Sequence, residues 1–341
     1  MKSSLWFLLF IILQKIVLGC SATPLHFPEH AVLQSKELTI QDAPTRYAFR
    51  VQLSDSLLYI MDLHATDYYV HTVTYPDMKH RASLMPRGEA PEQFLSAENI
   101  RIDQKGHLWS LDANNNKLIQ FKMLNDSVHT QSIDLDPNLI RTLDFCFLND
   151  STFIVPDYSG ENRIALLDKN GQIIRKLFHI PSENEQQTAP MVLAQAWRSF
   201  MDYHPAHGLL VMATQLGQVL EIYDMKKEIL VNRVQPEGGQ PQFSKTGGHA
   251  VPTGIMGYSD IHIDDKYIYA LFWGHSFEDL KTEKILKEGG QFIHVFDLQG
   301  QPVRQYQLDR YLTGFHLDEK NNRFIGLDVN SDQPLVEYKY Q

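Results

Sequence analysis

The stretch GYSDIHIDDKYIYALFWG (257–274) holds two short strand-like runs separated by an acidic turn. The apolar and polar residues that alternate in DIHIDD (260–265), and the Ile and Tyr of YIYAL (267–271), predict two strands. A third run of this kind, FIHVFD (292–297), follows. The three runs predict one small antiparallel unit.

This unit recurs six times from residue 46 onward. Its middle strands end 50, 45, 56, 58 and 57 residues apart. The six first strands are AFRVQL (48–53), NIRIDQ (99–104), DFCFLN (144–149), FMDYHP (200–205), DIHIDD (260–265) and GFHLDE (314–319). Six copies at this period predict a repeat architecture built from small antiparallel sheets.

The turns indicate a fourth strand in each unit. DKNG (168–171) and DLQG (297–300) have the Asp, Asn and Gly chemistry of hairpin turns, and strand-like runs follow both. Four-stranded units are typical of propeller blades. The sixth unit has only three strands, so we expect AVLQSKELTI (31–40) to supply its outer strand and close the ring. The predicted fold class is all-β, a six-bladed β-propeller of four-stranded antiparallel blades, forming one domain over residues 31–341.

Two loops with a related Pro-Gly pattern lie half a ring apart. RGEAPEQF (87–94) and PEGGQPQF (236–243) end in Phe94 and Phe243, which are 149 residues, or three blades, apart. Gly and Pro in such loops usually serve backbone geometry. The loops are therefore expected either to shape the crossovers, with each Phe filling the gap between blades, or to form a rim around a central pocket.

The N-terminus predicts export and lipid anchoring. Lys2 precedes an apolar run over residues 5–13 that is too short to span a membrane and suits a signal peptide over residues 1–19. VLGC (17–20) resembles a lipobox, which makes Cys20 the predicted lipid attachment site and residues 20–30 a tether. An ordinary secretory signal is the alternative. The other cysteine, Cys146, is expected to be a small buried hydrophobe, and an acylated Cys20 leaves no disulfide.

The charge limits the partners. A net charge of −10 repels nucleic acid and anionic lipid surfaces, so neither is an expected partner, and we expect a monomer.

Three stretches carry a resemblance to a known family: RGEAPEQF (87–94), GYSDIHIDDKYIYALFWG (257–274) and GGQFIHVFDLQGQPVRQYQLD (289–309). They resemble the TolB-like six-bladed propeller lipoproteins of Bacteroidetes-type bacteria, over roughly residues 40–341. Ala90 stands where typical members have a second Gly in the loop. The resemblance implies the fold and a cell-envelope location, and it implies no reaction. SATPLHF (21–27) lacks the acidic cluster that resembles a surface-export signal, so we expect a periplasm-facing protein.

One position of each first strand is polar or Cys between apolar neighbours. The six residues of this column are Arg50, Arg101, Cys146, Asp202, His262 and His316. Because first strands line the axis of a propeller, alternation predicts that these side chains converge on a channel. A patchier column two residues earlier contains Asn99, Asp144 and Asp260, which we expect at the mouth of the channel.

The chemistry of the column leaves alternatives open. Asp202, His262 and His316 have the ligand types of a divalent metal site, or each His is a hydrated channel residue. Arg50 and Arg101 either bind an anion such as a carboxylate or sugar acid, or form salt bridges with nearby Asp residues. No Gly-x-Ser-x-Gly, P-loop or zincin motif is present.

Two functions of different class follow. The leading one is a non-catalytic, membrane-anchored envelope lipoprotein without a cofactor that binds a protein partner, or a small anionic or carbohydrate ligand, at its loop face or channel. The alternative is a propeller hydrolase or lyase acting on a carbohydrate or lactone-like substrate with a channel metal. The two differ in whether Asp202, His262 and His316 meet within coordination distance.

Overall fold

The computed structural model describes residues 25–40, 45–90, 92–124, 127–181, 188–282 and 287–340. They form a six-bladed β-propeller, as the repeat predicts. The predicted signal peptide over residues 1–19 and the predicted lipid attachment site Cys20 lie outside the described residues. No helix within the described ranges is long and apolar enough to cross a membrane.

Each blade is an antiparallel sheet whose strands follow one another from the axis outward. Two short N-terminal strands precede the blades, β1 (Glu29–Leu33) and β2 (Lys36–Glu37). Blade one contains β3 (Ala48–Ser54), β4 (Leu57–Asp62), β5 (Tyr68–Thr74) and β6 (His80–Pro86). Blade two contains β7 (Ile100–Ile102), β8 (Leu108–Asp112), β9 (Lys117–Leu124) and β10 (Ser127–Asp134). Blade three contains β11 (Cys146–Asn149), β12 (Thr152–Pro156), β13 (Asn162–Asp168) and β14 (Ile173–His179).

The second half of the ring carries the additions to this pattern. The helix α1 (Pro190–Ala196) precedes blade four, which contains β15 (Ser199–His204), β16 (Leu209–Thr214), β17 (Leu220–Asp224) and β18 (Ile229–Val234). A hairpin of β19 (Phe243–Thr246) and β20 (His249–Pro252) leads to blade five. Blade five contains β21 (Tyr258–Ile263), β22 (Tyr267–Phe272), the short helix α2 (Phe277–Lys281), β23 (Gly290–Asp297) and β24 (Pro302–Leu312). Blade six contains β25 (Gly314–Asp318), β26 (Arg323–Leu327) and β27 (Leu335–Lys339).

The N-terminal segment closes the ring, as predicted, but it serves two blades. β2 pairs antiparallel with β27 as the outer strand of blade six, and the Leu38 N–H donates to the Leu335 carbonyl at 2.9 Å. β1 pairs in parallel with β24 and gives blade five a fifth strand. Alternation explains this second pairing, because Ala31 and Leu33 pack against the core while Val32 faces solvent.

The predicted tether over residues 20–30 is too long. Phe27 is 1% exposed in the core between blades four and five, with its ring centroid 4.6 Å from that of His294 and 5.5 Å from that of Phe296. An aromatic ring buried to this degree is part of the folded domain. The propeller therefore includes Phe27 and the strand that begins at Glu29, and the boundary at residue 31 is corrected.

The core lies between neighbouring blades. Middle strands are buried on both faces, as in β4, where all residues from Leu58 to Asp62 are buried. Met61 of blade one packs with Ile100 and Leu108 of blade two in one cluster, and equivalent clusters join the other blades. Cys146 is a free, buried thiol in the cluster between blades three and four, which confirms the prediction that it is a buried hydrophobe.

The loop that ends at Phe94 folds back on itself. The Phe94 N–H donates to the Pro86 carbonyl at 2.9 Å, and the Phe94 ring lies 6.1 Å from the Phe121 ring of β9. Phe94 therefore fills the gap between blades one and two, which is the first of the two roles predicted for this loop. Its counterpart Phe243 begins the β19–β20 hairpin instead, where it packs against the cluster that contains Leu193 of α1.

Candidate functional site in the central channel

A cavity of about 260 Å³ lies on the axis of the ring. Every blade contributes a polar or thiol side chain to its wall: Gln52, Arg101, Cys146, Asp202, His262 and His316. Apolar and aromatic groups complete the wall, among them Phe147, Tyr203 and Leu317. Pro205 and Glu319, which follow the first strands of blades four and six, place its mouth at the end where first strands turn into second strands.

Five of the six residues of the predicted column line this cavity, and Arg50 does not. The pairing of β3 with β4 shifts register between Ala48 and Arg50. In blade one the cavity wall is formed by Gln52, two residues further along the strand. Arg50 and Gln52 lie on the same face of β3, so alternation along the sequence does not tell which of them enters the cavity wall.

Arg50 closes the other end of the channel. Its Nη1 donates to the carbonyls of Phe49 and Thr313 at 2.9 Å each, and its Nη2 donates to the Ser259 carbonyl at 2.8 Å. Its guanidinium also lies over the Phe200 ring of blade four, 4.8 Å from the centroid. A side chain of blade one that contacts blades four, five and six must cross the axis.

The Arg50 guanidinium is not free for an anion. It is 3% exposed, and burial lowers its pKa, an effect that the Asp260 and Asp144 carboxylates oppose. Its Nη atoms are already bonded to carbonyl oxygens and its two faces meet Phe rings. Arg50 is thus a structural residue that closes the channel through backbone carbonyls, and neither alternative predicted for it, anion binding or a salt bridge to an Asp, describes these contacts.

Arg101 is held by two carboxylates. Its Nη1 donates to Asp202 Oδ1 at 3.1 Å and its Nη2 to Asp144 Oδ1 at 3.1 Å, with a further bond to the Met201 carbonyl. Burial alone would lower the pKa of Arg101, but these carboxylates raise it above its ordinary value. Arg101 therefore forms salt bridges with nearby Asp residues, which was the second of its two predicted roles. The net charge that Arg101 presents to the cavity is neutralised.

Three aspartates link neighbouring blades at the axis. Each accepts a backbone N–H of the following blade with Oδ2: Asp144 from Met201 at 3.0 Å, Asp202 from Ile263 at 3.0 Å and Asp260 from Phe315 at 2.9 Å. Each also accepts the N–H of its own next residue with Oδ1, at 2.8 to 3.0 Å. Carboxylates that accept two backbone N–H groups fix one strand against the next.

The patchier column is therefore not at the channel mouth. Asn99, Asp144 and Asp260 are all buried and do not contribute to the cavity wall. Asn99 donates from Nδ2 to Asp144 Oδ1 at 2.5 Å, so it joins blade two to blade three. These side chains turn between the blades because buried polar groups need hydrogen-bond partners. The backbone N–H groups and side chains of the neighbouring inner strand supply those partners, and the channel mouth does not.

The pKa values of the two channel histidines are shifted in opposite directions. His262 Nε2 donates to the Phe315 carbonyl at 2.6 Å. Burial would lower the pKa of His262, but the nearby Asp260 and Asp202 carboxylates raise it. Burial and the charge on His262 lower the pKa of His316 to about 3, and the buried Nδ1 of His316 has no hydrogen-bond partner. At neutral pH the His316 imidazole is therefore neutral, whereas the neighbouring His262 imidazole binds a proton more tightly than a free histidine does.

Asp202, His262 and His316 do not converge as metal ligands. His262 Nδ1 lies 3.8 Å from Asp202 Oδ2, and the two imidazole centroids are 6.4 Å apart. His262 Nε2 is engaged by a backbone carbonyl. In the described part of the chain, the one group of three such side chains with ligand atoms within 4.8 Å of one another is His204, His207 and Asp265.

The mouth of the cavity is acidic. Glu319 lies in the cavity wall, and its pKa is raised by burial and then by Asp264, Asp265 and Asp202. Carboxylates that raise the pKa of a neighbouring carboxyl group create a region of negative potential. The cavity therefore combines a neutralised Arg101 with an excess of carboxylate at its mouth.

Sequence reasoning missed Gln52, Glu319 and the His204–His207–Asp265 group. Gln52 and Glu319 follow their column positions by two and three residues, so extending the column toward the turns would have found them. The spacing His-x-x-His in HPAH (204–207) was a usable signal for two of the three ligand-type residues. Asp265 is on the next blade and carries no such signal.

The fold and the axial cavity define a six-bladed β-propeller, a class commonly used for protein binding. The family model described as TolB-like 6-blade propeller-like matches residues 26–320. The chain belongs to this family. No curated protein sequence matches it significantly.

Solved structures resemble the chain in fold. A member of the DUF4221 family from Bacteroides vulgatus has a TM-score of 0.56 at 10% identity, covering 91% of this chain and 97% of its own. A putative exported protein from Bacteroides fragilis also has a TM-score of 0.56 at 10% identity, with 92% and 97% covered. A catalytically inactive virginiamycin B lyase from Staphylococcus aureus, with quinupristin, has a TM-score of 0.52 at 10% identity, with 88% and 83% covered. Likeness at this identity concerns the fold alone.

Proposed function

We propose that this chain is a non-catalytic binding protein of the cell envelope, anchored through a lipid at Cys20 and facing the periplasm. Its ligand is a small polar molecule held in the axial cavity. The observation that carries the proposal is a cavity of about 260 Å³ that Arg50 closes at one end and that every blade lines with a polar or thiol group. A concave site on a rigid scaffold in which polar groups converge is typical of small-molecule binding.

The charges favour a neutral polar ligand over an anion. Arg101 is paired with Asp144 and Asp202, and Arg50 is bonded to backbone carbonyls, so neither guanidinium is available to a carboxylate ligand. Carboxylate oxygens, Gln52 and Gln104 offer acceptors and donors to hydroxyl groups, and Tyr203 and Phe147 offer aromatic surface. Of the two predicted ligand classes, carbohydrate therefore fits better than a sugar acid.

We also propose that a protein partner binds the loop face of the ring, at the loops that carry α1 and the β19–β20 hairpin. The β19–β20 hairpin and α1 form one packed projection there, since the Ala250 N–H of β20 donates to Gln195 Oε1 of α1 at 3.1 Å. Ser244, Lys245 and Thr246 of this hairpin are exposed. A packed, polar projection can dock a partner without unfolding.

The metal-dependent hydrolase or lyase is less well supported. It needs Asp202, His262 and His316 around one ion, yet His262 Nε2 bonds a backbone carbonyl and the imidazole rings are 6.4 Å apart. The resemblance to a virginiamycin B lyase, at 10% identity, concerns the fold alone and supports no reaction.

Calorimetric titration of the purified full-length protein tests the binding proposal. The probes are maltose, D-glucuronate and spermidine, as a neutral sugar, a sugar acid and a cation. We expect heat of binding with maltose and none with D-glucuronate. Gln52→Trp places a large ring in the cavity wall and should weaken maltose binding at least tenfold. Gln131→Trp, on the exposed outer strand β10, is the matched control and should bind as the parent does.

Two results would oppose the proposal. Tighter binding of D-glucuronate than of maltose would show that the guanidinium groups are available after all. Equal binding of every probe by the Gln52→Trp and Gln131→Trp variants would place the ligand outside the cavity.

A further inference from the structure

Two hairpin turns of neighbouring blades meet beside the mouth of the cavity. In blade four, β15 turns into β16 through HPAHG (204–208), and in blade five β21 turns into β22 through Asp264, Asp265 and Lys266. The first turn presents two imidazoles and the second presents a carboxylate. None of these three side chains belongs to the axial column described above.

The ligand-type atoms of the two turns are close together. His204 Nε2 lies 3.3 Å from Asp265 Oδ1, and His207 Nε2 lies 3.7 Å from the same oxygen. The imidazole centroids are 4.7 Å apart with 34° between the planes. Two nitrogens and an oxygen bound to one tetrahedral zinc ion at their usual bond lengths stand about 3.4 Å apart. The two nitrogen–oxygen distances lie near that value, and the three ligand atoms all lie within 4.8 Å of one another.

The turns fix the backbone from which these side chains project. Asp264 Oδ1 accepts the N–H groups of Lys266 and Tyr267 at 2.8 and 2.7 Å, and its Oδ2 accepts the Tyr269 hydroxyl at 2.9 Å. Asp264 is thus used in building the turn, which leaves the adjacent Asp265 carboxylate directed at blade four. Preorganised ligands lower the cost of binding an ion.

The histidine turn is equally constrained. The Gly208 N–H donates to the His204 carbonyl at 2.8 Å, and Gly208 has φ of +70° with the Lys226 side chain against it. A left-handed φ at this position favours glycine. Pro205 fixes the backbone between the two histidines. Both imidazoles therefore leave the turn toward the same side.

We propose that His204, His207 and Asp265 bind one divalent transition-metal ion, with zinc as the fitting choice, at the rim of the axial cavity. Two imidazoles and one carboxylate are the donor set of open zinc sites, in which water or another ligand completes the coordination. The site is distinct from Asp202, His262 and His316, and it does not depend on the proposed sugar binding.

The surroundings favour a cation here. Asp264, Asp265 and Glu319 lie near enough to one another to raise the pKa of Glu319. A divalent ion would offset this concentration of carboxylates. Pro205, which separates the two histidines in the chain, lines the cavity itself. An ion at this site would join blades four and five where a ligand enters.

The same atoms can also form a hydrogen-bonded contact without an ion. His207 Nε2 lies 3.1 Å from the Asp265 carbonyl, and the His207 N–H donates to His204 Nδ1 at 3.4 Å. In that arrangement protons occupy the positions that zinc would take. The two arrangements differ in one measurable property, namely whether the protein binds zinc at these side chains.

The test is titration of the untagged full-length protein with zinc chloride after removal of metals by EDTA. We expect one equivalent of zinc to bind. His207→Ala removes an exposed ligand and should weaken zinc binding by at least about 100-fold, since loss of even an outer-shell partner costs 10- to 100-fold. Asp265→Asn should weaken it likewise. His129→Ala removes an exposed histidine of β10 and should leave zinc binding unchanged.

Circular dichroism of each variant checks that the propeller is folded, and visible absorption of the cobalt-loaded protein reports coordination by nitrogen and oxygen. Loss of the cobalt spectrum in folded His207→Ala would support the site. Retention of zinc affinity in His207→Ala and Asp265→Asn would overturn it. Loss of zinc binding in His316→Gln but not in His207→Ala would also overturn it, because the ion would then lie in the channel. Absence of zinc binding by the parent protein would leave only the hydrogen-bonded contact.

Discussion

Asp202 in the first strand of blade four accepts the backbone N–H of Ile263 in blade five at 3.0 Å. The other oxygen of the same carboxylate accepts Arg101 from blade two at 3.1 Å. One side chain thus connects three of the six blades near the axis. Asp144 and Asp260 make the equivalent N–H contact to the next blade, so blades three to six are joined by a series of buried or half-buried carboxylates.

Asp202→Ala should destabilise the propeller by about 3–5 kcal/mol. The substitution leaves the Ile263 N–H without its acceptor and removes one of the two carboxylate partners of Arg101, and breaking a buried ion pair from one side costs this much. Urea unfolding measures the change. Asp150→Ala is the matched control, because Asp150 forms a 3.0 Å pair with Lys105 but is 66% exposed. It should change the free energy of unfolding by less than about 1 kcal/mol.

The loss of folding stability at low pH should depend on Asp260. Burial opposes ionisation, but Arg50 and His262 lower the pKa of Asp260 to about 2. A group with a lowered pKa in the folded state contributes stability above its unfolded pKa near 4, and that contribution is lost as the pH falls through about 2. The loss is on the order of 2 kcal/mol. Asp260→Asn should lack this dependence between pH 4 and 2, and urea midpoints that fall in parallel for parent and variant would contradict the assignment.

The contribution of His262 to folding stability should be lost as the pH rises rather than as it falls. Burial disfavours its charge, but Asp260 and Asp202 raise its pKa above 6.5. Its contribution to stability is therefore complete below pH 6.5 and is lost as the pH rises through the raised pKa. His262→Gln should remove that decline in urea unfolding between pH 6 and 9, while His129→Gln should keep it. Histidine resonances at pH 5.5 should show His262 protonated and His316 neutral, since the pKa of His316 is about 3.

Phe27→Ala should destabilise the domain by about 3–5 kcal/mol, although Phe27 precedes the first strand. Its ring is 1% exposed against His294 and Phe296, and removing a buried aromatic ring leaves a cavity between blades four and five. Val32→Ala, at a position 64% exposed, is the control and should stay within about 0.5 kcal/mol. Thermal unfolding measures both. Equal melting temperatures would mean that the segment before β1 is not part of the folded unit.

Cys20→Ser should release the protein from the membrane while leaving the propeller folded. The expected reason is loss of the acylated thiol at the lipobox, which lies outside the described residues and before Phe27 of the core. Fractionation of cells that express parent and variant, with Cys146→Ser as the control, measures the change. A variant that stays in the membrane fraction would contradict the lipoprotein proposal.

Local sequence patterns were sufficient for the fold and for most of the cavity wall. A period of 45 to 58 residues and alternation within each strand predict six blades, because side chains of a strand alternate between faces whatever the rest of the chain does. The same alternation predicts that Arg101, Cys146, Asp202, His262 and His316 share the axis, and the structure places all five in the cavity wall.

Contacts between blades were decided only by the tertiary structure. Arg50 occupies the same column as Arg101 in the sequence, yet hydrogen bonds to the Thr313 and Ser259 carbonyls hold it across the axis, and Gln52 takes its place in the cavity wall. The pairing of β1 with blade five and of β2 with blade six likewise depends on which edges the ring leaves open. Asp265 meets His204 and His207 although about 60 residues of chain separate them. Spacing along a strand determines on which face of the sheet a side chain lies. The residue that it contacts on the next blade is determined only by the closed ring, because the ring brings together turns that are distant in the chain.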